Sequence, residues 1–282
     1  MPTLMEDLTT TLPAAPARSA GSFLKDVVRH FRRADGTSHT RGLAYQVMLV
    51  VIPGLIALVG LASMLHIAEV RSTVQHLVEM LSPGPSGKLL TEAAAQGASG
   101  GATAAIVGLV GALLAGMFAV AQVERSANRL MGLDRDRPTA KRYLLAFVLA
   151  IPVGLLLSAA LLMIGAGGPV VDGLGLEGEA RVIWEVARWP LGLLLAAAAL
   201  ILLLRVAPAR RLGSTRHLMA GTAIAVILWG VFTGLLSLYF AMSNSADQAY
   251  GPLLSVIALL LWSGLTSLAL HLGITACVEL ER

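Results

Sequence analysis

The chain has 282 residues, of which 56% are hydrophobic and only 13% are charged. Soluble domains carry roughly 25% charged residues, so this composition excludes an ordinary soluble enzyme or binding domain. The net charge of +4 is spread over several segments beside apolar stretches, which argues against nucleic acid as a partner. Cys277 is the single cysteine, so no intrachain disulfide can form.

The N-terminal segment, residues 1–21, is predicted to be a disordered cytoplasmic tail, because it lacks the apolar core of a signal peptide. Ser22–Arg33 then predicts a basic amphipathic helix, in which Phe23, Val27 and Phe31 share one face. This helix lies in the inner membrane interface, packs on the cytoplasmic ends of the bundle, or does both. Residues 22–282 are predicted to form a single six-span membrane domain.

Six apolar stretches follow, and each is close to the ~20 residues that a helix needs to cross a bilayer. The predicted spans are residues 43–65, 102–123, 143–165, 186–204, 218–242 and 252–278. The fourth apolar run is short, so we start its helix earlier, with Glu185 and Arg188 one turn apart at the outer interface. The predicted fold class is all-α, a polytopic membrane protein with six transmembrane helices and interfacial amphipathic helices.

Basic residues fall mainly in alternate gaps between these stretches. Those gaps hold 17 of the 21 Lys and Arg residues, and the other gaps hold 4. Cytoplasmic loops near a membrane carry such an excess, so both chain ends are predicted to be cytoplasmic. The high content of Ala, Gly, Leu and Arg favours a bacterial source, and the predicted location is the plasma (inner) membrane.

Three other features bear on packing and function. Residues 67–96 predict an amphipathic helical hairpin on the outer face, which either shields the bundle or covers a cavity. Small-residue stripes at helical spacing predict close helix contacts, inside one subunit or in a homo-oligomer. These stripes are Gly108, Ala112 and Gly116 on span two, and Gly230 and Gly234 on span five. Pro53 and Pro152 are expected to kink or locally unwind spans one and three.

No motif for catalysis is present. The sequence contains no HExxH, GxSxG or CxxC motif, and its histidines show no metal-ligand spacing. We therefore predict a non-enzymatic protein with no cofactor and no metal site. His271 lies about 28 Å along span six, near the inner interface, where it serves as a structural residue or as a proton relay.

Four groups of residues, taken together, resemble the BrkB/YihY family of bacterial inner-membrane proteins. In chain order they are Gly42–Tyr45 with Pro53; Ala127, Asn128 and Arg129 with Arg137 and Pro138; Leu204, Arg205 and Pro208 with Gly221 and Trp229; and Tyr250, Gly251 and Pro252 with Trp262, Leu272 and Gly273. Thr275 and Ala209 depart from the family pattern, which often has an acidic residue and an asparagine there.

The resemblance implies a six-span helical fold without a settled activity. Members are linked to virulence and serum resistance, export of envelope lipids has been suggested, and some carry a ribonuclease label. Our leading hypothesis is therefore an exporter or flippase of an amphipathic, lipid-like envelope component. The alternative is a membrane scaffold or envelope-regulatory protein that transports nothing. Membrane lipids are the expected partners in either case.

Two sets of residues are candidates for function. Asn128 is predicted to cap or bridge helix ends by hydrogen bonds, with Arg129 beside it at head-group depth. Spans one and six are predicted to flank a cavity lined partly by Tyr45 and Trp262. The alternative for these aromatic side chains is filler in a solid bundle. The remaining family-like candidates for the path or for a structural motif are Pro53, Pro208, Tyr250, Gly251 and Pro252.

Overall fold

A computed structural model describes residues 19–65, 73, 86–165, 171, 175, 177–210, 212–242 and 252–282. The helices run in the order α1 (Ala20–Arg33), α2 (Gly36–Met64), α3 (Ser86–Leu130), α4 (Thr139–Gly165), α5 (Gly178–Val206), α6 (Thr215–Met242) and α7 (Pro252–Glu281). No strand occurs among these residues. Six helices, α2 to α7, are long and apolar enough to cross a membrane, which confirms the predicted all-α, six-span fold. Nearly all of the predicted N-terminal tail lies outside the described residues.

Helix α1 is amphipathic and has two apolar surfaces. Val27 and Phe31 are buried against the bundle, whereas Leu24 and Val28 are 63% and 43% exposed. Asp35, with a left-handed φ of 52°, turns the chain into α2, and Gly36 admits the Phe31 ring at this turn. The helix thus packs on the bundle and also leaves an apolar strip exposed, while its placement in the membrane interface stays a prediction.

Helix α3 contains a sharp change of direction at Gly101. The φ of 52° and ψ of −131° at this residue are accessible only to glycine, so the segment 86–100 forms an arm separate from the span that follows. This arm is the shorter helix of the predicted outer hairpin, and its Ala94 packs against Val59 of α2. The other helix of the hairpin, within residues 67–81, lies almost wholly outside the described residues.

Helices α2 and α3 approach closely along glycines. A side chain at Gly108 would meet the Ala57 nitrogen at 2.6 Å, and one at Gly60 would meet the Ala105 nitrogen at 2.7 Å. Pro53 also fits this contact, with its ring 3.1 Å from the position of a Cβ on Gly111. The helix is continuous through Pro53, so its backbone does not unwind there, while the alternative of a kink stays a prediction. The glycine face of α3 accommodates the ring.

The small-residue stripes have different neighbours. In addition to the Gly108 contact with α2, Gly116 lies against Ala150 of α4, where a Cβ would be 3.5 Å from the alanine methyl. The stripe on α6 is different, since no described atom lies within 4 Å of a Cβ built at Gly230 or Gly234. Packing among the described helices therefore does not use the second stripe. Helix α4 also continues through Pro152 without unwinding.

Helix α7 is the most enclosed span. Within its apolar window 39% of residues are buried, compared with 11–28% in the other five spans. Its contact with α6 is tightest where Gly221 and Gly273 face each other. The side chains that α7 presents to its neighbours therefore lie at the centre of the bundle.

The fourth span begins earlier than its apolar run, as predicted. Helix α5 starts at Gly178, and the Arg188 guanidinium lies 2.7 Å from the Glu185 carboxylate. Arg188 is buried, and it also donates a hydrogen bond of 2.6 Å to the Ile164 carbonyl at the end of α4. This pair fastens the start of span four to the end of span three.

One end of the bundle carries most of the basic segments. Contacts from His30 to Glu279, from Arg137 to Ala207 and from Arg210 to Glu281 join helix α1, both loops at this end and the chain terminus. We call this end, comprising residues 19–41, 124–142, 205–217 and 279–282, the basic end.

The predicted orientation can be checked with reporter fusions. Because the basic end should be cytoplasmic, fusions after Arg135 and Arg211 are expected to give a cytoplasmic signal. Fusions after Gly87, Gly178 and Asn244 are expected to give a periplasmic or external signal. Reversed signals at two or more of these sites would contradict the six-span topology with both ends inside.

Candidate functional site

Asn128 joins the two loops of the basic end. Its side chain is fully buried near the end of α3. The amide nitrogen donates to Asp136 Oδ1 at 3.1 Å, and the amide oxygen accepts from the backbone nitrogen of Ala209 at 2.8 Å. Asn128 thus links the loop after α3 to the loop after α5 by hydrogen bonds. The departure from the family pattern at Ala209 does not affect this bond, since its donor is a backbone group.

Arg137 makes a second connection between the same loops. Its Nη1 lies 3.2 Å from Glu124 Oε1 on α3, and it also donates to the Ala207 carbonyl. Its Nη2 donates to the Pro208 carbonyl at 2.8 Å, which places that candidate residue at this site. Glu124 is only 1% exposed, so the guanidinium compensates a carboxylate that is otherwise removed from water.

Asp136, which accepts the Asn128 hydrogen bond, also forms ion pairs with two arginines. Its Oδ2 is 3.5 Å from Arg129 Nη2 and 3.8 Å from Arg142 Nη1. Arg129 also donates to the Leu133 carbonyl at 2.8 Å, so its side chain folds over the loop that follows α3. We call Glu124, Asn128, Asp136, Arg137 and the Ala207–Ala209 backbone the loop junction. Ion pairs and hydrogen bonds link its members across both loops, so the junction holds the two loops together.

A second polar feature runs along the membrane-embedded part of α7. We call Ser263, Thr266, Ser267, His271 and Thr275 the polar seam. The serines, His271 and Thr275 recur at every fourth residue and are at most 1% exposed, so they line one buried face. Among the described residues, the Ser263, Thr266 and Ser267 hydroxyls have no hydrogen-bond partner. Thr275 differs, because its hydroxyl donates to the His271 carbonyl at 2.8 Å.

His271 is the ionisable member of the seam. Its Nδ1 lies 2.7 Å from the Ser267 carbonyl, and because a carbonyl only accepts, Nδ1 carries the proton. Nε2 is then an acceptor, buried and without a partner among the described residues. Helices α2 and α6, which pack against α7, contribute Gln46 and Thr222, each with a buried oxygen that likewise lacks a described partner. The seam is thus rich in unused hydrogen-bonding capacity.

The aromatic candidates have different surroundings. Tyr45 is 56% exposed. Trp262 is half-buried, and its indole nitrogen donates to the Thr233 hydroxyl of α6 at 3.3 Å. The cavity that both residues were predicted to line stays a prediction, and the exposed Tyr45 ring also suits a membrane surface. Pro252 begins α7. Tyr250 and Gly251 lie outside the described residues.

The described ranges contain no group of three or more His, Cys, Asp or Glu side chains arranged to hold a metal ion. Glu124, Asp136 and Glu279 of the basic end are instead paired with arginines or with His30.

Comparison with known proteins agrees with the architecture. The sequence model of the family described as Virulence factor BrkB matches residues 27–282. The ribonuclease-like protein YfkH of Bacillus subtilis (strain 168) is 26% identical over 262 residues, covering 89% of this chain and 92% of that protein.

A UPF0761 membrane protein of Chromohalobacter salexigens is 22% identical over 246 residues, which are 85% of this chain and 58% of that protein. No solved structure is significantly similar. The family match spans both the loop junction and the polar seam, and the six apolar helices agree with a multi-pass protein of the bacterial inner membrane. The chain therefore belongs to the BrkB family of membrane proteins.

Proposed function

We propose that this protein exports or flips an amphipathic, lipid-like envelope component across the inner membrane. The observation that carries the proposal is the polar seam, because it places hydroxyl and imidazole groups on the central helix of an otherwise apolar bundle. A polar head group that crosses a bilayer needs such partners along its way. Membrane lipids are accordingly the proposed partners.

Several buried polar groups of the seam make no hydrogen bond among the described residues. An unsatisfied polar group in a bilayer interior costs several kcal/mol. The oxygens of Ser263 and Ser267 and Nε2 of His271 are in this condition among the described residues. We infer that water or a polar head group occupies the seam during the working cycle. A bundle built solely as a scaffold would gain stability from apolar residues at these positions.

We also propose that transport is passive or coupled to a gradient, since the sequence carries no nucleotide-binding motif. A catalytic role is not part of the proposal, although one relative is named a ribonuclease-like protein. The sequence offers neither a catalytic motif nor a metal-ligand spacing that would support phosphodiester cleavage.

The proposal is tested by flipping of fluorescent phospholipids in vesicles of bacterial lipid that contain the purified protein. Wild type is expected to move label between leaflets faster than empty vesicles. A Ser263→Ala, Ser267→Ala double variant is expected to flip at most one tenth as fast, because each hydroxyl supplies about 1 kcal/mol to a passing polar group. Ser126→Ala is the control, since Ser126 is a buried serine of α3, outside the seam, whose hydroxyl already donates to the Val123 carbonyl.

Two outcomes separate the hypotheses. If no bacterial lipid class is flipped by wild type, lipid transport is refuted and the scaffold alternative gains support. The loop junction favours that alternative, because it fixes two loops into one surface that another protein could bind. If wild type and the double variant flip equally fast, transport stands but the seam is not its path.

A further inference from the structure

A pocket at the basic end lies between α1 and the ends of α3 and α7. Its volume is about 580 Å³, within the range of small-molecule sites. Its wall includes the side chains of Arg29, Arg33, Arg129 and Arg282, together with Asp26 and Glu279. Four arginines from three separate segments of the chain thus converge on one cavity, which is distinct from the polar seam.

The two carboxylates do not neutralise this pocket. Asp26 is 3.5 Å from Arg29 Nη1, and Glu279 Oε1 is held by His30 Nδ1 at 2.6 Å and by Arg282 Nη1 at 3.0 Å. Arg129 is also 3.5 Å from Asp136 Oδ2, outside the pocket wall, so four guanidinium groups face three carboxylates and an excess of positive charge remains. Arg33 has no acidic partner among the described residues, so its guanidinium is available to a ligand.

We propose that this pocket binds the phosphate group of a small anion. Guanidinium groups match phosphate oxygens with paired hydrogen bonds, and several forks around one cavity suit a tetrahedral anion better than a planar carboxylate. The excess of positive charge in the pocket favours an anionic ligand. The proposal does not depend on transport, since binding alone satisfies the charges.

The position of the pocket leaves two sources for this phosphate. Beside it, Leu24 and Val28 form the exposed apolar strip of α1, flanked by Lys25 and Arg32. A helix of this kind lies at head-group depth, so a phospholipid head group could enter from the membrane surface. A soluble phosphate could enter from the cytoplasm. Both present the same chemistry to Arg33 and Arg282.

The experiment measures thermal unfolding of the full chain in a sugar-based neutral detergent at constant ionic strength. One titration uses inorganic phosphate against chloride, and a second uses phosphatidylglycerol against phosphatidylcholine in mixed micelles. Saturable stabilisation by phosphate or by phosphatidylglycerol is expected, and the titration that succeeds identifies the source. Arg33→Ala is expected to raise the half-saturating concentration about tenfold, because one charged hydrogen-bonding pair is lost.

Arg216→Ala is the matched control, since this exposed arginine belongs to the basic end but lies outside the pocket wall. It is expected to keep the wild-type half-saturating concentration. If Arg33→Ala does not fold, Arg33→Lys replaces it; the charge remains but the fork is lost, so weaker binding is still expected. The proposal is overturned if neither titrant stabilises wild type saturably, or if Arg216→Ala weakens binding as much as the Arg33 variant.

Discussion

Arg137→Ala is expected to lower the free energy of unfolding by about 3–5 kcal/mol, because it leaves the Glu124 carboxylate buried without its cation. Two carbonyl acceptors, those of Ala207 and Pro208, lose their donor in the same variant. The loop between α5 and α6 is then held mainly by Asn128. The measurement is SDS-induced unfolding in mixed micelles, followed by circular dichroism.

Two further variants separate the charge pair from a general effect of removing an arginine. Arg135→Ala removes an exposed arginine of the same loop and is expected to change the free energy of unfolding by less than about 0.5 kcal/mol. Adding Glu124→Gln to Arg137→Ala is expected to recover part of the loss, because a neutral amide costs less to bury than a carboxylate. A loss below about 1 kcal/mol in Arg137→Ala would contradict the paired, buried arrangement.

The architecture of this protein could be predicted because its determinants are local along the chain. Apolar length specifies each span, and the basic residues beside each span distinguish one end of the bundle from the other. Asn128 was predictable for a related reason: an amide at the inner end of an apolar span has to find partners, and the adjacent loops are the nearest source. The sequence did not identify Asp136 and the Ala209 nitrogen as those partners.

A single sequence could not predict which side chains of separate segments form ion pairs and hydrogen bonds with one another. Glu124 and Arg137 both attract attention as charges near a span end, but no periodicity relates an acid on α3 to an arginine in the following loop. The contact of Arg137 with Ala207 and Pro208 spans about seventy residues and depends on how α5 packs. Such contacts follow from tertiary structure, which no local pattern encodes.

The sequence does contain a pattern that indicates the polar seam. Ser263, Ser267, His271 and Thr275 recur every fourth residue, which places them on one helical face. Serine and threonine are so common in membrane helices, where they bond to their own backbone, that this face does not stand out until its hydroxyls are found unpartnered. Depth along span six correctly placed His271 towards the basic end, but whether it faced the interior required the packing of α7.

Gly221→Leu is the second substitution for which we expect a large effect, a loss of about 3 kcal/mol in the free energy of unfolding. A Cβ at Gly221 would lie 2.6 Å from the Gly273 carbonyl oxygen and 2.8 Å from the Cys277 Cβ. A Cβ at Gly273 would in turn lie 2.6 Å from the Gly221 carbonyl oxygen. Because the obstacles are mostly backbone atoms, no rotamer change relieves the clash, and α6 has to move away from α7.

Gly230→Leu is the matched control on the same helix, since a side chain there meets no described atom within 4 Å. Both variants make the same chemical change in α6, so helix propensity and hydrophobicity shift equally and only the packing differs. SDS-induced unfolding of both proteins measures the difference. Equal stability of the two variants would refute the close α6–α7 contact. A large loss in Gly230→Leu alone would instead indicate that the open glycine face of α6 packs against a second copy of the chain.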